Sequence, residues 1–103
     1  MMAANATSPV VNADGFLVEI STWDRAKAEE MARRNEIWPL SEDHWKVIHF
    51  VRDYYQKFRQ GPAIYKISRA TGLNARRICE IFPCGIVRGA YRLAGLPRPP
   101  GCA

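Results

Sequence analysis

The stretch 41–58 constrains the fold most. Ser41 can accept a hydrogen bond from a first-turn amide, and Glu42 and Asp43 put negative charge where a helix dipole favours it. Trp45, Val47, Ile48, Val51, Tyr54, Tyr55 and Phe58 then recur at helical spacing over a wide stripe. So broad an apolar face needs cover from several neighbours, which predicts a mainly α fold built around this segment as its central core helix. His44 and His49 lie about 140° apart around that helix, so they do not converge on one ligand and are read as structural.

The flanks supply the cover. Residues 1–9 are small and polar and read as a disordered leader. Val10-Val11 and Phe16-Leu17-Val18 flank Asn12-Ala13-Asp14-Gly15, whose Asp-Gly suits a tight turn, so a β-hairpin is expected. A hairpin that small must pack on helices to persist. Thr22 is the expected N-cap of a helix over 23–35, with Trp23, Ala26, Ala28, Met31 and Ala32 near one face. Gly61-Pro62 breaks the chain, and Pro62 suits the first turn of a short helix whose apolar residues are Ile64, Ile67 and Ala70. Gly72 ends it. Asn74 caps another helix carrying Ile78, Cys79, Ile81 and Phe82, in which Cys79 is expected to act as a small buried hydrophobe. Phe82-Pro83 stops that helix, and a last one is expected over 86–94, ended by Gly95. The two short helices around Gly72 form a helix-turn-helix-like element, and Arg76 and Arg77 open the second one, where base-reading side chains would sit. The expected architecture is a small orthogonal helical bundle over 10–94, with an N-terminal β-hairpin and an extended C-terminal arm over 95–103.

Charge divides the chain unevenly. The formal net charge is +5, yet residues 59–103 hold eight basic side chains against Glu80 alone. That half should attract acidic partners, either protein or nucleic acid, through residues such as Arg76, Arg77, Arg88, Arg92 and Arg98. No apolar run is long enough to span a bilayer, and the first residues lack the pattern of a secretory signal, so a cytoplasmic location is expected. The three cysteines, Cys79, Cys84 and Cys102, are an odd number, which argues against a disulfide framework. Their spacing relative to the histidines does not suit zinc, and no metal or cofactor is expected.

The arm carries the chemistry. Pro97, Pro99 and Pro100 rule out a helix and favour an extended, solvated path. From Gly95 to Cys102 such a path spans about 20 Å. It ends in Gly101-Cys102-Ala103, where the small neighbours leave the sulfur accessible. A thiol held so far from the core can enter another protein's site.

Ala94-Gly95-Leu96-Pro97-Arg98-Pro99, followed by penultimate Cys102, resembles the C-terminal arm of the DsrC/TusE family of sulfur-trafficking proteins. Asp14-Gly15-Phe16-Leu17, Trp23, Leu40-Ser41 to His44-Trp45, Val51-Arg52-Asp53-Tyr54-Tyr55, Pro62-Ala63-Ile64 and Phe82-Pro83 extend the resemblance in order along the chain. It implies that Cys102 accepts a sulfane sulfur as a persulfide and delivers it to a partner. In the branch linked to dissimilatory sulfite reductase, a second cysteine lies eleven residues before the penultimate one, and the two cycle through a disulfide or trisulfide. Tyr91 occupies that position here. Cys84, outside the family's motif, is then the remaining candidate for a second thiol. A single-cysteine member is more like TusE, which passes sulfur toward 2-thiouridine in tRNA, although the stretch 69–77 is shorter than in typical TusE sequences. Two alternatives stand beside the carrier: a DNA-binding regulator reading through Arg76 and Arg77 with a sulfur-sensing cysteine, and an accessory protein of a sulfite-reductase-type complex.

Overall fold

The computed structural model describes residues 11–97 apart from 14, 18, 19 and 84. The expected leader, Cys84, Arg98 and Cys102 fall outside the described residues. Four α-helices, α1 (Arg25–Arg34), α2 (Glu42–Phe58), α3 (Ile64–Thr71) and α4 (Ala75–Ile81), precede a π-helical segment over Val87–Tyr91. A short 3₁₀ turn over Ile20–Thr22 leads into α1.

Helix α2 is the centre, as its pattern dictates. It packs against α3 and the π segment, and α3 packs on α4. Val47, Ile48 and Val51 are fully enclosed, in a core shared with Phe16, Met31, Ile67, Ile78, Phe82, Leu93 and Leu96. Ser41 caps the helix, and its partner in the reciprocal box is His44 rather than the usual acidic residue. The Ser41 amide and hydroxyl donate to His44 Nδ1 at 3.0 and 2.8 Å, while His44 Nε2–H donates to the Ile81 carbonyl at 2.8 Å. One neutral imidazole therefore ties the start of α2 to the end of α4. Burial pushes its pKa below the ordinary histidine value. The expectation of a structural His44 is met by these bonds.

Several expectations shift. Helix α1 begins at Arg25 with Asp24 as its cap, not at Trp23 with Thr22. The Asp24 carboxylate accepts from the Lys27 amide at 2.8 Å and pairs with the Lys27 ammonium at 3.1 Å, which lowers its pKa. A carboxylate at the positive end of a helix gains from the dipole as well as from the hydrogen bond, and threonine cannot match that. Trp23 is instead drawn to Leu93, far away in sequence. Pro62 lies before α3 and is buried, with Ala63 at the cap position.

The β-hairpin reduces, among the described residues, to one antiparallel bridge between Val11 and Leu17, with no strand. Asn12 and Phe16 close the turn at 2.9 Å, and Gly15 takes φ of +85°. Phe16 and Leu17 are consecutive and both buried, so the segment is covered on two faces by packing instead of by a ladder. Cys79 is exposed, against expectation. Helix α4 buries Ile78 and Ile81, and a residue one step from Ile78 is rotated about 100° toward solvent. Phe58, placed by pattern on the core stripe, is 57% exposed at the last residue of α2.

Candidate functional site at the base of the arm

The π segment continues into helical residues 92–93 and stops at Gly95. Gly95 has φ of +79°; its amide donates to the Arg92 carbonyl and the Leu96 amide to the Tyr91 carbonyl, each at 3.0 Å. This is a Schellman closure with glycine in the left-handed position, and Leu96 folds back beside Tyr91 as the closure's usual apolar contact. Leu96 is only 1% exposed. Gly95 and Leu96 are thus part of the packed body, and Pro97 after them is exposed.

Two side chains from distant elements hold this closure. Trp23 Nε1–H donates to the Leu93 carbonyl at 2.6 Å, and Arg52 Nη1 donates to the Ala94 carbonyl at 2.9 Å. These carbonyls belong to the last turn, where helical partners run out. The Arg52 guanidinium also lies 4.4 Å from the centre of the Trp23 ring, and burial lowers its pKa from the ordinary guanidinium value. A β-carbon on Gly95 would sit 2.6 Å from Trp23 Cδ1. Glycine is therefore required here twice, for its φ and for the approach of the indole. Beside Arg52 a shallow, cationic pocket opens, lined by Ser21, Tyr55, Gln56 and Arg59.

Tyr91 forms the floor of the site. It is 6% exposed, and its hydroxyl donates to the Pro62 carbonyl at 2.8 Å. Gly61 lies directly against the ring, close enough that a methyl there would stand 2.6 Å from Cε2. A tyrosine so enclosed has a structural role.

The predicted contact residues scatter. Arg88 and Arg76 are exposed. Arg77 is exposed but engaged by Asp43 at 3.2 Å and Glu80 at 3.6 Å. Arg92 is half-buried, bonding Asn35 Oδ1 at 3.0 Å with its guanidinium 5.0 Å from the Phe16 ring centre, so it braces α1 and the Gly15 turn. Cys102, Cys84 and Arg98 lie outside the described residues. Among the described residues no cluster of His, Cys, Asp or Glu could hold a metal, and no helix is long and apolar enough to cross a membrane. Sequence reasoning gave Trp23 and Arg52 no role at the arm. The signal for Arg52 was its place four residues after buried Ile48, on the core side of α2.

Comparison with known proteins agrees with this geometry. A family model described as "DsrC like protein" matches residues 3–103. Sulfurtransferase TusE of Sodalis glossinidius is 38% identical over 108 aligned positions, covering 98% of this chain and 99% of that protein. The gamma subunit of the dissimilatory-type sulfite reductase of Nitratidesulfovibrio vulgaris is 38% identical over 92 residues, covering 89% and 88%. The crystal structure of the oxidized gamma subunit (DsrC) from Archaeoglobus fulgidus superposes with a TM-score of 0.82 at 32% identity, covering 92% of each chain. With the match running through nearly every residue and reaching relatives of both kinds, the chain belongs to the DsrC/TusE family of sulfur relay and sulfite reductase gamma-like proteins.

Proposed function

We propose that this protein is a one-thiol sulfur carrier in which Cys102 accepts and donates a persulfide sulfur. The observation that carries the reading is Tyr91, which occupies the second-thiol position and is built into the core through Pro62 and Gly61. The firm closure at Gly95 and Leu96 supports a stationary base at the start of residues 97–103. In the transfer, the Cys102 thiolate attacks the terminal sulfur of a donor's neutral persulfide, R–S–SH. A new S–S bond forms to Cys102, the donor's S–S bond breaks, and its electron pair leaves with the donor thiolate. The products are Cys102–S–SH and R–S⁻, with no net oxidation and no added co-reactant.

Two routes use such a carrier. The likeness to TusE proteins favours a relay toward 2-thiouridine in tRNA. The likeness to a sulfite reductase gamma subunit supports a second route, in which the arm serves a sulfite-reductase-type complex or sulfur-oxidation trafficking. A regulator that reads DNA through Arg76 and Arg77 has less support, because Arg77 is held by Asp43 and Glu80. The test is complementation of a strain that lacks its own relay carrier. Native protein should restore thiolated tRNA and Cys102→Ser should not. Restoration by Cys102→Ser would refute the carrier role, and failure of both, with native protein co-purifying with a sulfite reductase, would select the second route.

A further inference from the structure

One face of α2 bears a ladder of aromatic rings. Phe50, Tyr54 and Phe58 follow one another at successive helical turns, with ring centres 5.8 and 4.5 Å apart. Tyr65 stands across from them on α3 and is 58% exposed, matching Phe58. A shallow groove runs between the two helices, rimmed by Lys66 and Arg69 with Ala70 beside them, and among the described residues no carboxylate lines it. Exposed apolar surface gathered in one groove and rimmed by charge marks an interaction site rather than the scattered exposure any surface shows.

We propose that this groove docks an amphipathic helix of a partner protein. Its apolar ridge would seat on Phe58 and Tyr65, and its flanking carboxylates would pair with Lys66 and Arg69. Charge complementarity selects the acidic flank, since both rim cations lie one turn apart on α3 and face no acid in the groove. The state of the rings selects an apolar side chain over a nucleobase. Stacking needs an open ring face. Tyr54 is tilted against both Phe50 and Phe58, and Lys66 Nζ lies 5.8 and 5.7 Å from the ring centres of Tyr54 and Tyr65. Ala70 is exposed beside the rings, and a surface of this kind receives alkyl groups, as in other helix-in-groove complexes. The docking does not rest on the carrier reading.

The probe is a fluorescein-labelled four-turn helical peptide with leucine at i, i+3, i+4 and i+7 and glutamate on both flanks, titrated into the full-length protein. Saturable anisotropy is expected, with amide shifts centred on α2 and α3 in the labelled protein. Phe58→Ser and the pair Lys66→Glu/Arg69→Glu should each weaken binding by about tenfold or more. The charge-reversed pair should then prefer the same peptide carrying lysine for glutamate. Far-UV circular dichroism of these surface variants should match native. Cys102→Ser should bind the peptide normally, which separates this test from that of the carrier. The proposal is overturned if native protein does not bind the peptide or if all variants bind it equally. It is also overturned if the substitutions abolish oligothymidylate binding instead, or if sedimentation shows native protein pairing with itself through a contact that Phe58→Ser removes.

Discussion

The Tyr91 hydroxyl donates to the Pro62 carbonyl at 2.8 Å while the Tyr91 ring lies against Gly61. Tyr91 is thus a keystone between the last helical segment and the break before α3. Removing only its hydroxyl leaves the Pro62 carbonyl buried without that donor. Tyr91→Phe should cost about 1–3 kcal/mol in urea denaturation, with the fold retained.

Restoring sulfur at this position should not be free. Tyr91→Cys vacates most of an enclosed aromatic volume and should cost about 3 kcal/mol or more. Gly61→Ala should be damaging in the native protein, by about 1–3 kcal/mol, because its methyl meets the ring. In the Tyr91→Cys background the same change enters vacated space and should be nearly neutral. A double-mutant cycle by urea denaturation should therefore show a coupling of at least about 1 kcal/mol between the two sites.

Gly95→Ala combines an unfavourable left-handed φ with a clash against Trp23. It should destabilise by about 2 kcal/mol or more. Amide exchange should accelerate most at Leu96, whose N–H closes the turn onto Tyr91. On the proposed carrier role, sulfur transfer through Cys102 should also slow. Pro97→Ala, beyond the closure, should leave stability nearly unchanged.

His44 gives the protein an acid-sensitive joint. Its Nδ1 accepts from Ser41, and protonation would turn that acceptor into a donor. Its folded pKa lies below the unfolded value of 6.5, so the unfolded chain takes up the proton first as pH falls. The stability associated with neutral His44 is full above pH 6.5 and is lost as pH falls from there through the folded pKa. Asp24, whose pKa is lowered from 3.8, acts in a separate window below that value. Urea midpoints at pH 7.5 and 5.5 should differ in native protein, and His44→Gln should flatten that difference.

Cys79 should behave as a surface thiol. It is exposed on α4, so a thiol reagent should modify it in the folded state, and Cys79→Ser should change stability by less than about 0.5 kcal/mol. Burial-limited labelling or a large loss of stability would contradict its position.

What was legible in the sequence was local. The span of α2, its Ser41 cap, the Gly72 stop and the Asn74 cap all rest on neighbours within one turn. The start of α1 was misplaced because Trp23 is claimed by a carbonyl seventy residues away. The proline pattern carries no sign that Leu96 is drawn inward, because the closure onto the Tyr91 carbonyl forms only in the folded chain. Arg92 read as part of a basic face, but its guanidinium turns toward Asn35 and Phe16. Phe58 and Cys79 fit an apolar stripe whose true width depends on what packs against each helix. The pattern of the arm, by contrast, was fully local, and it led to the family that the comparisons bear out.

The most direct measurement is intact mass of native protein, Cys102→Ser, and a variant with Cys79 and Cys84 both changed to serine, after exposure to a persulfide-charged cysteine desulfurase. Native protein and the double variant should each gain a single sulfur atom that thiol reductant removes, and Cys102→Ser should gain none. Equal loading of Cys102→Ser, or loss of loading in the double variant, would contradict a carrier that works through Cys102 alone.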